Sequence, residues 1–212
     1  MKLHKSLLLF GASALLLTAC GDDGGSTEIS DPAEEIDAEE VAQDVEASEA
    51  EETKASEIGK RSNPVPLGKL ATFPVLYSDE EYNEIKGVVT VEISNPIRGQ
   101  EAYDLLIEHN EFNEEAPDGQ EWVVFDVSLT LDEGSEDDPF NTSVMTITPI
   151  ASDGSEVPQS DYATFENGVD FGWKDLYVGG TDSGKYGLLV PEGDETLIEV
   201  TDWNKSVFFS IN

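Results

Sequence analysis

The sequence predicts a mainly β domain, an antiparallel β-sandwich with one short helix, preceded by a cleaved signal and a disordered acidic linker. Three observations carry that prediction. The first is period-2 alternation: in Glu121 to Leu131 the odd positions Val123, Phe125, Val127, Leu129 and Leu131 are apolar, and the even ones from Asp126 are polar. Alternation of that length is a strand with one face on a core. The second is the recurrence of shorter strand-like runs between turn residues. The third is one segment of different period, Gln100 to Asn110, where Ala102, Leu105, Leu106 and His109 fall at i, i+3, i+4 and i+7. That spacing makes one helical stripe.

Residues 1–19 read as an export signal. Lys2, His4 and Lys5 are basic, Leu7 to Leu17 is apolar apart from Gly11 and Ser13, and Thr18-Ala19 are small. Basic, apolar, small is the order of a secretory signal. An apolar run of about ten residues is well short of the ~20 that a membrane-spanning helix needs. Cys20 follows, and it is the only cysteine in the chain, so it has no disulfide partner within it. Leu17-Thr18-Ala19-Cys20 resembles the lipobox of bacterial lipoproteins. That resemblance implies a lipidated Cys20 as mature N-terminus and an extracytoplasmic, membrane-anchored location. A single acyl chain binds only marginally, whereas two or more give stable attachment.

Residues 20–62 read as the linker. Between 21 and 60 there are 15 acidic residues and two lysines, 2 − 15 = −13, with no aromatic residue. Such a stretch buries too little apolar surface to offset its ordering entropy. Some 40 flexible residues span about 35 Å, which makes a spacer.

Residues 63–212 hold the domain. All three tryptophans, all six tyrosines and eight of nine phenylalanines lie beyond Arg61. Prolines 64, 66 and 74 mark an extended entry. Lys86 to Ile93 is a strand with Val89, Val91 and Ile93 inward. Phe140 to Ile150 is a third strand-like run, ended by the turn signal Ser152-Asp153-Gly154. Asp175 to Val190 reads as two strand pieces around Gly179 to Gly184, with Tyr186, Leu188 and Val190 on one face. Leu197 to Val200 and Val207 to Ile211 close the chain, the latter with Val207, Phe209 and Ile211 inward. The helix is expected to cross one edge or end of the sandwich.

Arg98-Gly99-Gln100-Glu101-Ala102, Asn110-Glu111-Phe112-Asn113, Pro117 to Val124 and Tyr186 to Pro191 resemble bacterial surface lipoproteins with a telokin-like, immunoglobulin-like domain of unknown function. The resemblance implies an immunoglobulin-like fold and a surface location. It implies no catalytic residues.

Composition narrows the chemistry. The formal net charge is −35, which argues against nucleic acid, whose phosphates need Lys and Arg. Charged partners are expected to be cationic. With Cys20 lipidated and His4 cleaved away, His109 is the only remaining histidine, so zinc sites of His and Cys are excluded. His109 itself is expected to cap or pack beside the helix, the alternative being a general base. Asp132, Glu133, Glu136, Asp137 and Asp138 crowd one loop and form a weak Ca²⁺ candidate, since hard oxygen ligands are what that ion uses; their spacing is not that of an EF-hand. No other cofactor is expected. Trp122, Trp173 and Trp203 are candidates to line a carbohydrate or peptide surface, and Trp122, on the even face of its strand, is the binding candidate, the alternative being that a neighbouring loop or helix covers it. The function expected is an anchored binding or interaction module for an unknown protein, peptide or carbohydrate. The alternatives are a carboxylate-dependent surface hydrolase and a structural or envelope-stress spacer.

Overall fold

A computed structural model describes residues 27–32 and 58–212. The signal, Cys20 and most of the linker lie outside the described residues. The elements are β1 (Glu28–Ser30), β2 (Leu70–Ser78), β3 (Glu84–Arg98), α1 (Gly99–His109), β4 (Gln120–Glu133), β5 (Phe140–Asn141), a 3₁₀ turn (Thr142–Val144), β6 (Thr146–Ile150), β7 (Asp175–Leu176), β8 (Thr181–Pro191), β9 (Leu197–Thr201) and β10 (Ser206–Ser210).

Two antiparallel sheets enclose one core. The larger has the order β1-β2-β3-β4-β8, the smaller β10-β9-β6, and β5 pairs separately with β7. The alternating apolar residues of β4 are all buried in this core, as are Val89, Val91 and Ile93 of β3 and Leu188 and Val190 of β8; Tyr186 packs against it partly buried. From the facing sheet come Ile147, Ile198, Val200, Val207 and Phe209, closed off by Ile211. Each strand therefore buries the face its period-2 pattern predicts.

Several elements differ from expectation, each for a physical reason. Residues 27–32 and 58–62, within the stretch read as a disordered linker, are in place. Glu28–Ser30 pairs with Leu70–Thr72 at the edge of the larger sheet, and Asp31 pairs with Lys69. Backbone pairing is indifferent to the acidic side chains that suggested disorder. The domain also begins before residue 63. The Phe208 N–H donates to Gly59 O at 2.8 Å, and Val65 is bonded on both sides to β10. The run Phe140 to Ile150 divides into β5, the 3₁₀ turn and β6 rather than one strand.

The turn read over Gly179 to Gly184 is shorter, because β8 already starts at Thr181. Gly184 is a strand residue. A Cβ there would stand 2.6 Å from the backbone at Val169 to Phe171, so glycine marks close passage of another chain segment rather than a turn.

The helix lies over the outer face of the larger sheet, at the end where β4 begins. Ala102 and Leu106 are buried against Trp122 and Val124 of β4 and Leu189 of β8, with Leu105 partly buried beside them. This forms a second, small core on the side opposite the main one.

Candidate functional site

The segment 151–174 runs from β6 to β7 without a strand of its own, and it builds a cleft. It runs beside β8 and is held at four places. Near its start, Gln159 reaches the β8 backbone: its Oε1 accepts from Leu189 N–H at 2.8 Å and its Nε2 donates to Leu189 O at 2.9 Å. At its middle, buried Asn113 grips Thr164, accepting from the Thr164 N–H at 2.9 Å and hydroxyl at 2.8 Å and donating to Thr164 O at 2.8 Å and Leu106 O at 2.7 Å. Farther on, Lys185 N–H donates to Val169 O at 2.8 Å and Phe171 N–H to Lys185 O at 3.1 Å.

The last hold is Asp182, which has 0% exposure. Its Oδ2 accepts from Thr142 Oγ1 at 2.7 Å and Gly172 N–H at 3.0 Å, and its Oδ1 lies 2.9 Å from Lys174 Nζ. Burial alone raises the pKa of such a carboxyl. Here the Lys174 ammonium, the Thr142 hydroxyl and the Gly172 N–H outweigh burial and hold it below its usual 3.8.

Between these holds the segment and β8 line a cleft of about 590 Å³, with Ala163 passing close over Gly187. Phe165, Phe171, Tyr186 and Leu188 contribute apolar surface to it. At its mouth Tyr162 is 78% exposed and Trp173 is 75% exposed. Gly172 and Lys174, on either side of Trp173, are the two residues fastened to Asp182, so the stem of the indole is fixed while the ring stands open. Burial, and secondarily the neighbouring Tyr162, push the Tyr186 phenol upward. The charged groups lining the cleft are Glu156, Asp170 and Lys185. Lys185 is committed to Asp126 at 2.9 Å.

The residues singled out in the sequence are placed as follows. Trp122 is not a surface residue: it is 1% exposed, packed under α1, with its Nε1 donating to Glu114 O at 2.9 Å. Its face of the strand is polar farther along but covered here. Trp203 is exposed but does not line the cleft. His109 packs in the last turn of α1, its ring edge-to-face with Phe165 at 5.4 Å and its Nδ1 3.5 Å from Glu166.

The acidic loop does not gather its carboxylates. Asp132 accepts from Thr90 Oγ1 and Asp138 from Ser135 Oγ. The Ser135 N–H donates to the Tyr77 hydroxyl. Among the described residues no group of three or more His, Cys, Asp or Glu side chains is placed to hold a metal ion. The Ca²⁺ candidate set Asp132, Glu133, Glu136, Asp137 and Asp138 therefore finds no convergent geometry. Mutual repulsion keeps exposed carboxylates apart unless a scaffold forces them together.

Gln159, Asn113, Asp182 and Tyr162 were not singled out in the sequence. Nothing in their local spacing marks them, since Gln159, Asn113 and Asp182 each depend on a partner 30 or more residues away and Tyr162 stands alone in a polar segment.

No family model matches the chain, and no curated protein matches it. Among solved structures, MPT63, a secreted protein from Mycobacterium tuberculosis, is similar at 10% identity with a TM-score of 0.43, covering 70% of this chain and 98% of that one.

Proposed function

We propose that this chain is an extracytoplasmic, lipid-anchored binding module whose ligand site is the cleft between segment 151–174 and β8. The single observation carrying this reading is the pairing of an open Trp173 and Tyr162 with a cleft whose walls are clamped from four sides. An exposed aromatic pair over a formed cleft is a contact surface. The clamps matter because a pre-organised wall reduces the ordering cost of binding. The Leu17-Thr18-Ala19-Cys20 layout supports the anchor, as does the resemblance to telokin-like surface lipoproteins.

A carboxylate hydrolase predicts an acid with a raised pKa inside a cleft. Among the described residues the carboxyls displaced from the usual range, those of Asp79, Asp153, Asp182 and Asp194, are lowered, with hydrogen bonds outweighing burial. The binding reading is therefore preferred.

Two experiments test the proposal. Cys20→Ser is expected to release the protein to the medium or leave it unprocessed in fractionation; a variant cleaved normally and still membrane-bound would refute the anchor. For the cleft, a panel of oligosaccharides and short peptides is titrated against the wild type and Trp173→Ala. The expected result is at least one ligand lost with the indole. A ligand that binds both proteins equally places the site elsewhere.

A further inference from the structure

The floor of the cleft is the outer edge of β8, and its backbone groups can be traced one by one. β8 pairs with β4 in unbroken antiparallel register from Gln120↔Pro191 to Thr130↔Thr181. In such a ladder, successive residues turn their N–H and C=O alternately toward the partner strand and away from it. Lys185 and Leu189 turn theirs away from β4, since both are bonded to segment 151–174. Gly187 lies midway between them and shares their parity, so its N–H and C=O face the same edge. It lines the cleft, and among the described residues those two groups have no hydrogen-bond partner. A Cβ at Gly187 would come within 2.5 Å of Ala163 Cβ. This position therefore presents backbone alone.

The charges around it are one-sided. Glu156 and Asp170 line the cleft, and its one lysine is already paired with Asp126. Residues 61–212 carry 31 acidic and 7 basic side chains, 7 − 31 = −24. Nothing in the lining is left to meet an anion, whereas the faces of Trp173 and Tyr162 suit a cation.

Resting on the reading of this cleft as the binding site, we propose that its ligand is an extended peptide carrying a basic side chain. Its backbone pairs with the N–H and C=O of Gly187, and its cation lies against Trp173 and Tyr162. The pairing is a short strand addition at a gap in an otherwise covered edge. The segment bonded to β8 at Lys185 and Leu189 makes no bond to Gly187, although Ala163 lies over its face.

The test uses the full chain in detergent, titrated by calorimetry with a five-residue peptide alternating alanine and arginine. Its comparators are the same peptide with the central amide N-methylated, a five-residue glutamate peptide and a neutral oligosaccharide. The arginine peptide is expected to bind, losing about tenfold in affinity on N-methylation and about tenfold in Trp173→Ala or Tyr162→Ala. The glutamate peptide is expected not to bind. Equal affinity for the N-methylated peptide overturns the backbone pairing. Equal affinity in the two aromatic variants shows diffuse attraction to an acidic surface and overturns the proposal. An oligosaccharide that binds in a Trp173-dependent way, with no peptide binding, overturns the peptide and leaves the cleft as a binding site. Absence of any binding removes both.

Discussion

Trp122 and Trp173 flank the same strand and meet opposite fates. Trp122 pairs across β4–β8 with Leu189 and disappears beneath Ala102 and Leu106 of the helix. Trp173 stands at the other end of the cleft wall with its ring in solvent. Both are held in place, by different means. Packing holds the ring of Trp122. For Trp173 the Gly172 N–H donates to Asp182 and the Lys174 N–H to the Thr142 hydroxyl, which holds the backbone on either side, and the ring is left free. An aromatic side chain that stabilises is covered, and one that recognises is mounted on a fixed stem. Only the second kind loses function without losing the fold.

That contrast can be broken at several points. The largest effect is expected from Trp122→Ala, which empties the small core and removes the donor to Glu114 O; about 3–5 kcal/mol should be lost in denaturant unfolding. Trp173→Ala should change stability by less than about 0.5 kcal/mol. Comparable losses in the two variants would show that Trp173 is structural after all.

Asn113→Ala leaves the Thr164 N–H and C=O without their partner and takes one of two donors from Leu106 O, with an expected cost of about 2 kcal/mol or more. Hydrogen exchange should quicken across 156–171 well before it does in β4. Uniform acceleration through the whole domain would mean that the segment is not a separately clamped unit.

Asp182→Asn is expected to cost about 1–3 kcal/mol near neutrality, because a buried charge-assisted contact to Lys174 is lost. The folded-state pKa of Asp182 lies below its ordinary 3.8, so its contribution is present above about pH 4. That contribution disappears as pH falls through the folded value. The stability difference between wild type and variant should therefore shrink between about pH 5 and pH 2; a constant difference would exclude ionised Asp182 as the hold on the Trp173 stem.

The smallest effect concerns the whole acidic surface. Raising NaCl from about 10 to about 500 mM should lift Tm by a few degrees by screening repulsion among like charges. Trp122→Ala should show the same salt response as wild type, because no charge is lost with it. A flat Tm in wild type would show that the carboxylates are already well separated.

Much of the fold was legible along the chain because its signals are local. Val123 to Leu131 alternate, and alternation fixes which face of β4 is buried whatever the partner is. Ala102, Leu105 and Leu106 likewise mark the buried stripe of α1 before anything is known of what lies beneath. The same logic left Trp122 open between a binding residue and a covered one. Its position on the polar face of β4 is a local fact, but its cover comes from a helix some twenty residues earlier in the chain. Gly184 was read as a turn because a glycine's freedom and a glycine's smallness look alike in one sequence.

The sequence by itself therefore determined the strand faces and the helix stripe, both of which follow from residue type and short spacing. Only the tertiary structure decided where the cleft lies. Gln159 meets Leu189, Asn113 meets Thr164 and Asp182 meets Thr142 across 30 to 51 residues. Each of these polar side chains looks like ordinary surface until the chain brings its distant partner to it, because a hydrogen bond is specific in geometry and leaves no periodic mark in sequence.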